Sequence, residues 1–156
     1  MYRGSVVSIH VARCAGEPMI GLDHTRAVAG RGLEGDRYYE GAGFYSDDPR
    51  PIREVSLIEE KTIEALRRDH NLALAAGVTR RNITTRGVPL NHLIGREFRV
   101  GGATLRVVEL CEPCKHLLVD ATGVRSLLPT LVHRGGLHAH ILSSGKINAG
   151  DAIEEA

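Results

Sequence analysis

A mainly β fold with a few helices is predicted for this chain, and three observations predict it. The 18 glycines are spread along 156 residues rather than clustered, so turns recur at short intervals. Runs rich in β-branched residues, such as Ser5–Val11 and Ala103–Val108, are short and bounded by those turns. One segment alone has convincing helical periodicity. Seven or so short strands with one or two helices describe a β-dominated barrel or sandwich, a single domain over residues 1–156.

Taken in order, Ser5–Val11 reads as the first strand and Cys14–Arg26 as irregular chain. Gly30-Arg31-Gly32-Leu33-Glu34-Gly35 places three glycines in six residues, the signature of positive φ or close backbone approach. In letters it matches a dinucleotide-binding fingerprint. It follows Ala27-Val28-Ala29, however, and leads into more loop, so the strand–turn–helix context is missing. That loop runs on to Pro51 and holds Tyr38, Tyr39, Phe44 and Tyr45, four of the six aromatic residues. Ser56 and Glu59 have capping-box spacing and predict a helix over Leu57–His70, with Ile58, Thr62, Ile63, Ala65 and Leu66 on its apolar face. Strand character returns at Arg81–Thr85. Glu97–Val100 and Ala103–Val108 flank Gly101-Gly102, which predicts a two-residue hairpin. A weaker helix is predicted over Gly123–Leu131, and Leu137–Leu142 and Lys146–Ile153 close the chain as two strands around Ser144-Gly145.

Charge narrows the function. Twenty Lys and Arg against 19 Asp and Glu give a formal net charge of +1, which excludes a nucleic-acid grip built mainly on net charge. The N-terminal stretch is too short and too interrupted by serines to be a signal peptide or a membrane span. Three cysteines, Cys14, Cys111 and Cys114, are too few and odd in number for a disulfide framework. A cytoplasmic protein with reduced thiols is expected. Seventeen of the 20 basic residues are Arg, a bias that suits a GC-rich genome and, at individual sites, bidentate recognition of carboxylate or phosphate.

The segment Glu109-Leu110-Cys111-Glu112-Pro113-Cys114-Lys115-His116 follows the hairpin, so its side chains emerge at the end of a sheet. Lys115 and His116 adjoin Cys114, and a cation or imidazole beside a thiol raises its thiolate fraction. Three chemistries fit. Cys111, Cys114 and His116 have C-x2-C-x-H spacing for zinc, with Cys14, His138 or His140 as fourth donor, although no second C-x2-C is present. Cys111 and Cys114 have the spacing of a dithiol redox pair, without the usual βαβ context. Cys114 alone suits a reactive thiolate beside an anion pocket. For that pocket, Arg53 follows the turn at Pro49-Arg50-Pro51, and Arg81 and Asn82 precede a strand on which they point to opposite faces. His138 and His140 share one face of a predicted strand, a pattern commoner for a satisfied core or surface pair than for a metal site.

The ordered set Gly32-Leu33-Glu34-Gly35-Asp36-Arg37, Arg53-Glu54-Val55-Ser56-Leu57, Gly77-Val78-Thr79-Arg80-Arg81-Asn82-Ile83, Leu93–Gly101, Glu112-Pro113-Cys114 and Gly145–Asp151 resembles the MOSC domain. That module is named for the C-terminal part of molybdenum cofactor sulfurases and also occurs as small stand-alone bacterial proteins. The resemblance runs from about Val6 to Ile153. It implies a closed, strongly bent β-barrel that binds molybdenum cofactor (molybdopterin) or a related pterin. It also implies that Cys114 ligates molybdenum or carries a persulfide, and that Arg53, Arg81 and Asn82, with Lys115 and His116, line the cofactor pocket. Gly35, Asp36, Gly150 and Asp151 would be turn and barrel-closure residues. No pyridoxal-phosphate-dependent desulfurase domain is present, so a separate cysteine desulfurase or other sulfur donor is expected, with a molybdoenzyme as possible acceptor. A non-catalytic cofactor carrier or partner-docking module is the alternative, and a zinc-dependent hydrolase a third.

Overall fold

The computed structural model describes residues 2–43, 46–47, 54–71, 77, 79–111 and 134–156. Among them the chain runs β1 (Arg3–Val11), β2 (Ile20–Leu22), β3 (His24–Val28), β4 (Gly32–Leu33), β5 (Val55–Glu59), α1 (Glu60–His70), β6 (Ile83–Arg86), β7 (Glu97–Val100), β8 (Ala103–Leu110), β9 (Leu137–Ser143), β10 (Gly145–Asn148) and β11 (Ala152–Glu155), with a 3-10 turn at Leu90–His92. The strand order is β11-β7-β8-β9-β5-β6-β1, and β1 pairs back onto β11, so seven strands close into a barrel. β2 is added outside β1, and β10-β3-β4 form a separate three-stranded sheet.

Closure joins the two ends of the chain, with Arg3 opposite Glu154 and Ser5 opposite Ala152. The turn before β11 locks that seam. Gly150 N–H donates to the Val6 carbonyl at 2.7 Å, and Val6 N–H donates to the Asp151 carbonyl at 2.9 Å. The Asp151 carboxylate accepts from Asn148 N–H at 2.8 Å, and Asp151 N–H donates back to the Asn148 carbonyl at 3.1 Å, which sets the corner. Inside, Ile9, Leu57, Ile83, Phe98, Leu105, Leu137 and Ile153 are fully buried in one cluster. A closed barrel leaves its strands no exposed edge for unwanted pairing.

The Gly101-Gly102 hairpin lies where the sequence predicts it, with Val100 opposite Ala103. Three other expectations are corrected. The stretch read as irregular contains β2 and β3, and β3 pairs with β10 from the far end of the chain, Ala27 opposite Gly145. No local pattern announces such a long-range partner. The helix begins at Glu60, because Val55–Glu59 is a strand and no side chain caps the helix at Glu59. Ser56 cannot serve as cap, since its hydroxyl is bonded to Asn82. The stretch Lys146–Ile153 divides into β10 and β11, which belong to different sheets. The helix predicted over Gly123–Leu131 lies outside the described residues. Among those residues, no helix is long and apolar enough to cross a membrane.

β5 and β6 are parallel, with Leu57 opposite Ile83, so α1 serves as the crossover that a parallel pair requires. Two glycines separate the effect of backbone strain from that of close approach. Gly95 has φ +76 and open space where a Cβ would stand; Gly136 has φ +92, and a Cβ there would meet the Leu57 carbonyl oxygen at 1.8 Å. Gly95→Ala is expected to cost about 1–2 kcal/mol, the penalty of a left-handed L-residue. Gly136→Ala should cost at least about 2 kcal/mol more, because β9 must shift away from β5. Urea unfolding midpoints of the two variants measure the difference, and equal losses would contradict it.

Candidate functional site

Strand alternation sorts β5 and β9 into an inner and an outer face. Val55, Leu57, Leu137 and Ala139 join the core, which leaves Ser56, His138 and His140 on the outer face. Across the sheet Glu109 lies opposite His138, and His138 opposite Ser56. Asn82 extends the row from the approach to β6. A row of polar side chains therefore crosses β8, β9, β5 and the start of β6 on one face of the barrel.

Asn82 is 4% exposed and fully engaged. Its Oδ1 accepts from Ser56 N–H at 3.0 Å and from the Ser56 hydroxyl at 3.1 Å. Its own N–H donates to Ser56 Oγ at 3.1 Å. On the other side its Nδ2 donates to the His10 carbonyl at 3.0 Å, and its carbonyl accepts from His10 N–H at 2.7 Å. One residue thus bonds β5 and β1 together.

Arg81, also buried, presents its guanidinium to three carbonyls. Nε donates to Gly135 at 2.7 Å, Nη1 to Thr79 at 3.2 Å and Nη2 to Cys111 at 3.3 Å. Among the described residues no carboxylate bonds it. Cys111 N–H in turn donates to the Gly136 carbonyl at 2.8 Å. The sequence suggests an oxyanion fork at Arg81, whereas its described partners are backbone acceptors. Of the other predicted site residues, Arg53, Cys114, Lys115 and His116 lie outside the described residues. The flanks of their segments do not: Glu54 follows the first, and Cys111 and Arg134 bracket the second. The structure thus brings Arg81 and Asn82 to the strand ends from which those segments depart. Within the described residues, no group of three or more His, Cys, Asp or Glu is placed to hold a metal ion.

Two residues gain roles that the sequence does not assign them. Glu54 is 6% exposed. Its Oε1 accepts from Gly30 N–H at 3.0 Å and Ile141 N–H at 3.3 Å, and its Oε2 lies 3.2 Å from His140 Nε2. Burial pushes its carboxyl above the ordinary value, opposed by His140 and by the two amide donors. The legible signal was an acidic residue at the mouth of an apolar strand, next to Arg53. His10 is 5% exposed, and its Nδ1 has no hydrogen-bond partner among the described residues. Gly77 explains the fit, since a Cβ there would stand 3.0 Å from the His10 ring. Burial lowers the imidazole below its ordinary value.

A cleft of about 530 Å³ opens elsewhere, between α1, the 3-10 turn and Gly136. Two of its cations are paired with neighbouring carboxylates, Lys61 with Glu59 at 3.3 Å and Arg68 with Asp69 at 2.7 Å. Neither Arg81 nor Asn82 is among the described residues that line it, so the polar row is the better candidate.

A family model described as the MOSC domain matches residues 48–154. Among solved structures, the fold is similar to that of the YUAD protein from Bacillus subtilis, with a TM-score of 0.77 at 15% identity over 99% of this chain and 97% of that one. It is similar to YiiM from Escherichia coli, with a TM-score of 0.70 at 20% identity over 100% of this chain and 70% of that one. YiiM from Geobacillus stearothermophilus gives a TM-score of 0.72 at 13% identity over 98% of this chain and 75% of that one. At these identities the likeness concerns the fold alone. No curated protein matches by sequence.

His10 and Glu54 tie stability to pH in opposite senses. The unfolded chain protonates His10 below about pH 6.5, while the folded chain resists, so stability falls as the pH drops through that value. Glu54 holds its proton more tightly when folded, so its share of stability declines as the pH rises from about 4.3 towards its raised value. Between pH 7.5 and 5.5, the His10 contribution to the wild-type unfolding free energy, obtained by urea titration, should fall by no more than about 1.4 kcal/mol per pH unit for its single proton. His10→Gln should flatten that slope. An unchanged slope in the variant would remove His10 as its source.

Proposed function

Because the chain belongs to the MOSC domain family, which is associated with molybdenum cofactor binding, we propose that it binds molybdenum cofactor or a related pterin over the polar row. In this reading Cys114 ligates molybdenum or carries a persulfide. Arg53, Lys115 and His116 contribute cationic and imidazole contacts, and Asn82 and Arg81 frame the pocket. The observation that carries the reading is that the described residues next to the segments bearing Arg53 and Cys114, Glu54 and Cys111, both border one polar face: Glu54 lies 3.2 Å from His140, and the Cys111 carbonyl is held by Arg81, which adjoins Asn82.

The described residues fit an anionic, hydrogen-bonding group. Arg81 is a buried cation whose described partners are all carbonyls, so among the described residues no carboxylate cancels its charge. Ser56 and Asn82, bonded to each other, hold the face beside it in place, and His138 lies on that face opposite Ser56. When bound, the cofactor supplies a metal that can change oxidation state and accept a sulfur ligand.

Residues of the chain then have distinct tasks. Lys115 and His116 favour the thiolate of Cys114 by standing next to it in the chain. As a sulfur carrier, that thiolate attacks the outer sulfur of a donor persulfide. A new S–S bond forms on Cys114 as the donor's S–S bond breaks, and the donor leaves as a thiolate. The sulfur changes hands without any external oxidant or reductant.

Two measurements test this. Protein purified after exposure to the cofactor should retain molybdenum and pterin, and Cys114→Ser should retain at least about tenfold less, the loss expected when a metal site is disturbed. Equal retention would remove Cys114 as ligand and favour a carrier or docking module in which the cysteine is dispensable. After incubation with a cysteine desulfurase and its substrate, intact-mass analysis should show one added sulfur that peptide mapping places on Cys114. No adduct there would end the persulfide reading.

A further inference from the structure

We propose that the cleft between α1 and the 3-10 turn binds the phosphate group of a small phosphate monoester, at a site separate from the polar row. The α1 residues that line it are Lys61, Thr62, Ala65 and Arg68, spaced so that they share one side of the helix. Ile63 and Leu66 are buried and take the packed side. Between Lys61 and Arg68, the small Ala65 side chain leaves the helix surface open to a ligand. Another wall comes from the 3-10 turn, where buried Leu90 anchors the chain and His92 N–H donates to the Pro89 carbonyl at 3.0 Å. Asn91 and His92, both exposed, line the cleft from that turn. Arg134 joins them from the approach to β9.

Charge singles the cleft out. Its described lining carries three cations, Lys61, Arg68 and Arg134, against one carboxylate, Glu59. That local excess stands in a chain whose formal net charge is only +1. The Lys61 and Arg68 side chains are 76% and 73% exposed, so their ion pairs with Glu59 and Asp69 are solvated and weak enough for a dianion to displace. Among the described residues no carboxylate pairs with Arg134 or His92. Two guanidinium forks from separate segments suit the oxygens of a phosphate, with Lys61 as a point charge and Asn91 as a neutral donor. A carboxylate, with a single charge, would answer only half of the excess. The volume of about 530 Å³ falls within the roughly 300–1,000 Å³ of small-molecule sites, and a phosphate group alone would not fill it. Pro89 and Ala65 give an attached organic body an apolar footing.

Amide NMR shifts of the cofactor-free full chain, titrated at constant ionic strength with inorganic phosphate, phenyl phosphate and acetate, test the site. The amides of Lys61, Thr62, Asn91 and His92 should shift saturably with both phosphates. Phenyl phosphate should bind at least about threefold tighter than the free ion, because its ring covers apolar surface. Acetate should bind at least about fivefold more weakly than phosphate. Arg68→Gln and Arg134→Gln should each weaken phosphate binding at least about fivefold. Both arginines are exposed, so the variants should keep the wild-type urea midpoint. Lys146→Met removes an exposed cation from another part of the surface and should change phosphate affinity by less than about twofold.

Any of four results overturns the site: no saturable shift at the cleft, acetate binding as tightly as phosphate, phenyl phosphate binding no tighter than the free ion, or Lys146→Met weakening phosphate as much as Arg134→Gln does. The last would mark a response to net charge alone. None of the probes contains pterin or metal. A chain that retains no molybdenum cofactor would therefore sink the proposed function and leave this site standing, and loss of this site would leave the proposed function untouched.

Discussion

Asn82 makes a rung of sheet out of a side chain, and the geometry of the polar face depends on it. Before β6 begins its regular pairing, the carboxamide oxygen accepts from Ser56 while the amide nitrogen donates to the His10 carbonyl. The gap between β5 and β1 is thereby bridged at a level where backbone alone would leave donors and acceptors unsatisfied. Removing such a buried group strands its partners, at about 1–3 kcal/mol for each unsatisfied polar atom. The barrel, the parallel β5–β6 pair and the row that includes Ser56 and His138 all take their alignment from this junction. Its cost is specificity of residue type: Asp could not donate to His10, and Ser could not span the gap.

The same junction explains how the site is divided between rigid and chemical parts. Asn82 and Arg81 are consecutive and point apart. One ties β5 to β1, the other reaches the ends of β8 and β9. Neither needs a ligand to be satisfied, so the scaffold can be preorganised before anything binds. Glu54 does similar service on the neighbouring edge by joining the turn at Gly30 to β9 at Ile141. Its placement keeps a carboxylate near His140 without exposing it to bulk water.

What the sequence made legible follows from range. The Gly101-Gly102 hairpin was readable because its partners are adjacent, and the alternation of His138 and His140 about Ala139 was readable because a strand has a period of two. The ordered motifs identified the family, since the set as a whole is specific even where each piece is not. The helix α1 starts later than capping-box spacing predicts, because Ser56 has the letters of a cap while its hydroxyl is claimed by a residue 26 positions away. β3 carries no local signal, because its partner β10 lies more than 100 residues further along the chain, Ala27 opposite Gly145. Arg81 shows the sharpest limit: a guanidinium suits oxyanions and carbonyls alike, and only the fold decides which acceptors stand before it. Glu54 carried a weak signal, and His10 carried none, because burial is a property of the packed molecule.

The seam between β1 and β11 has a consequence for the birth of the molecule. The strand that opens the chain waits for the strand that closes it, because Arg3 meets Glu154 and Gly4 meets Ile153. On the ribosome, β1 can form its contacts with β6 once that strand emerges, yet the cylinder stays open until residues 152–155 have left the exit tunnel. A topology dominated by such distant pairings folds slowly for its size. During that interval β1 and β7 expose unpaired edges, so this is when the nascent chain is most exposed to wrong partners and to chaperone capture.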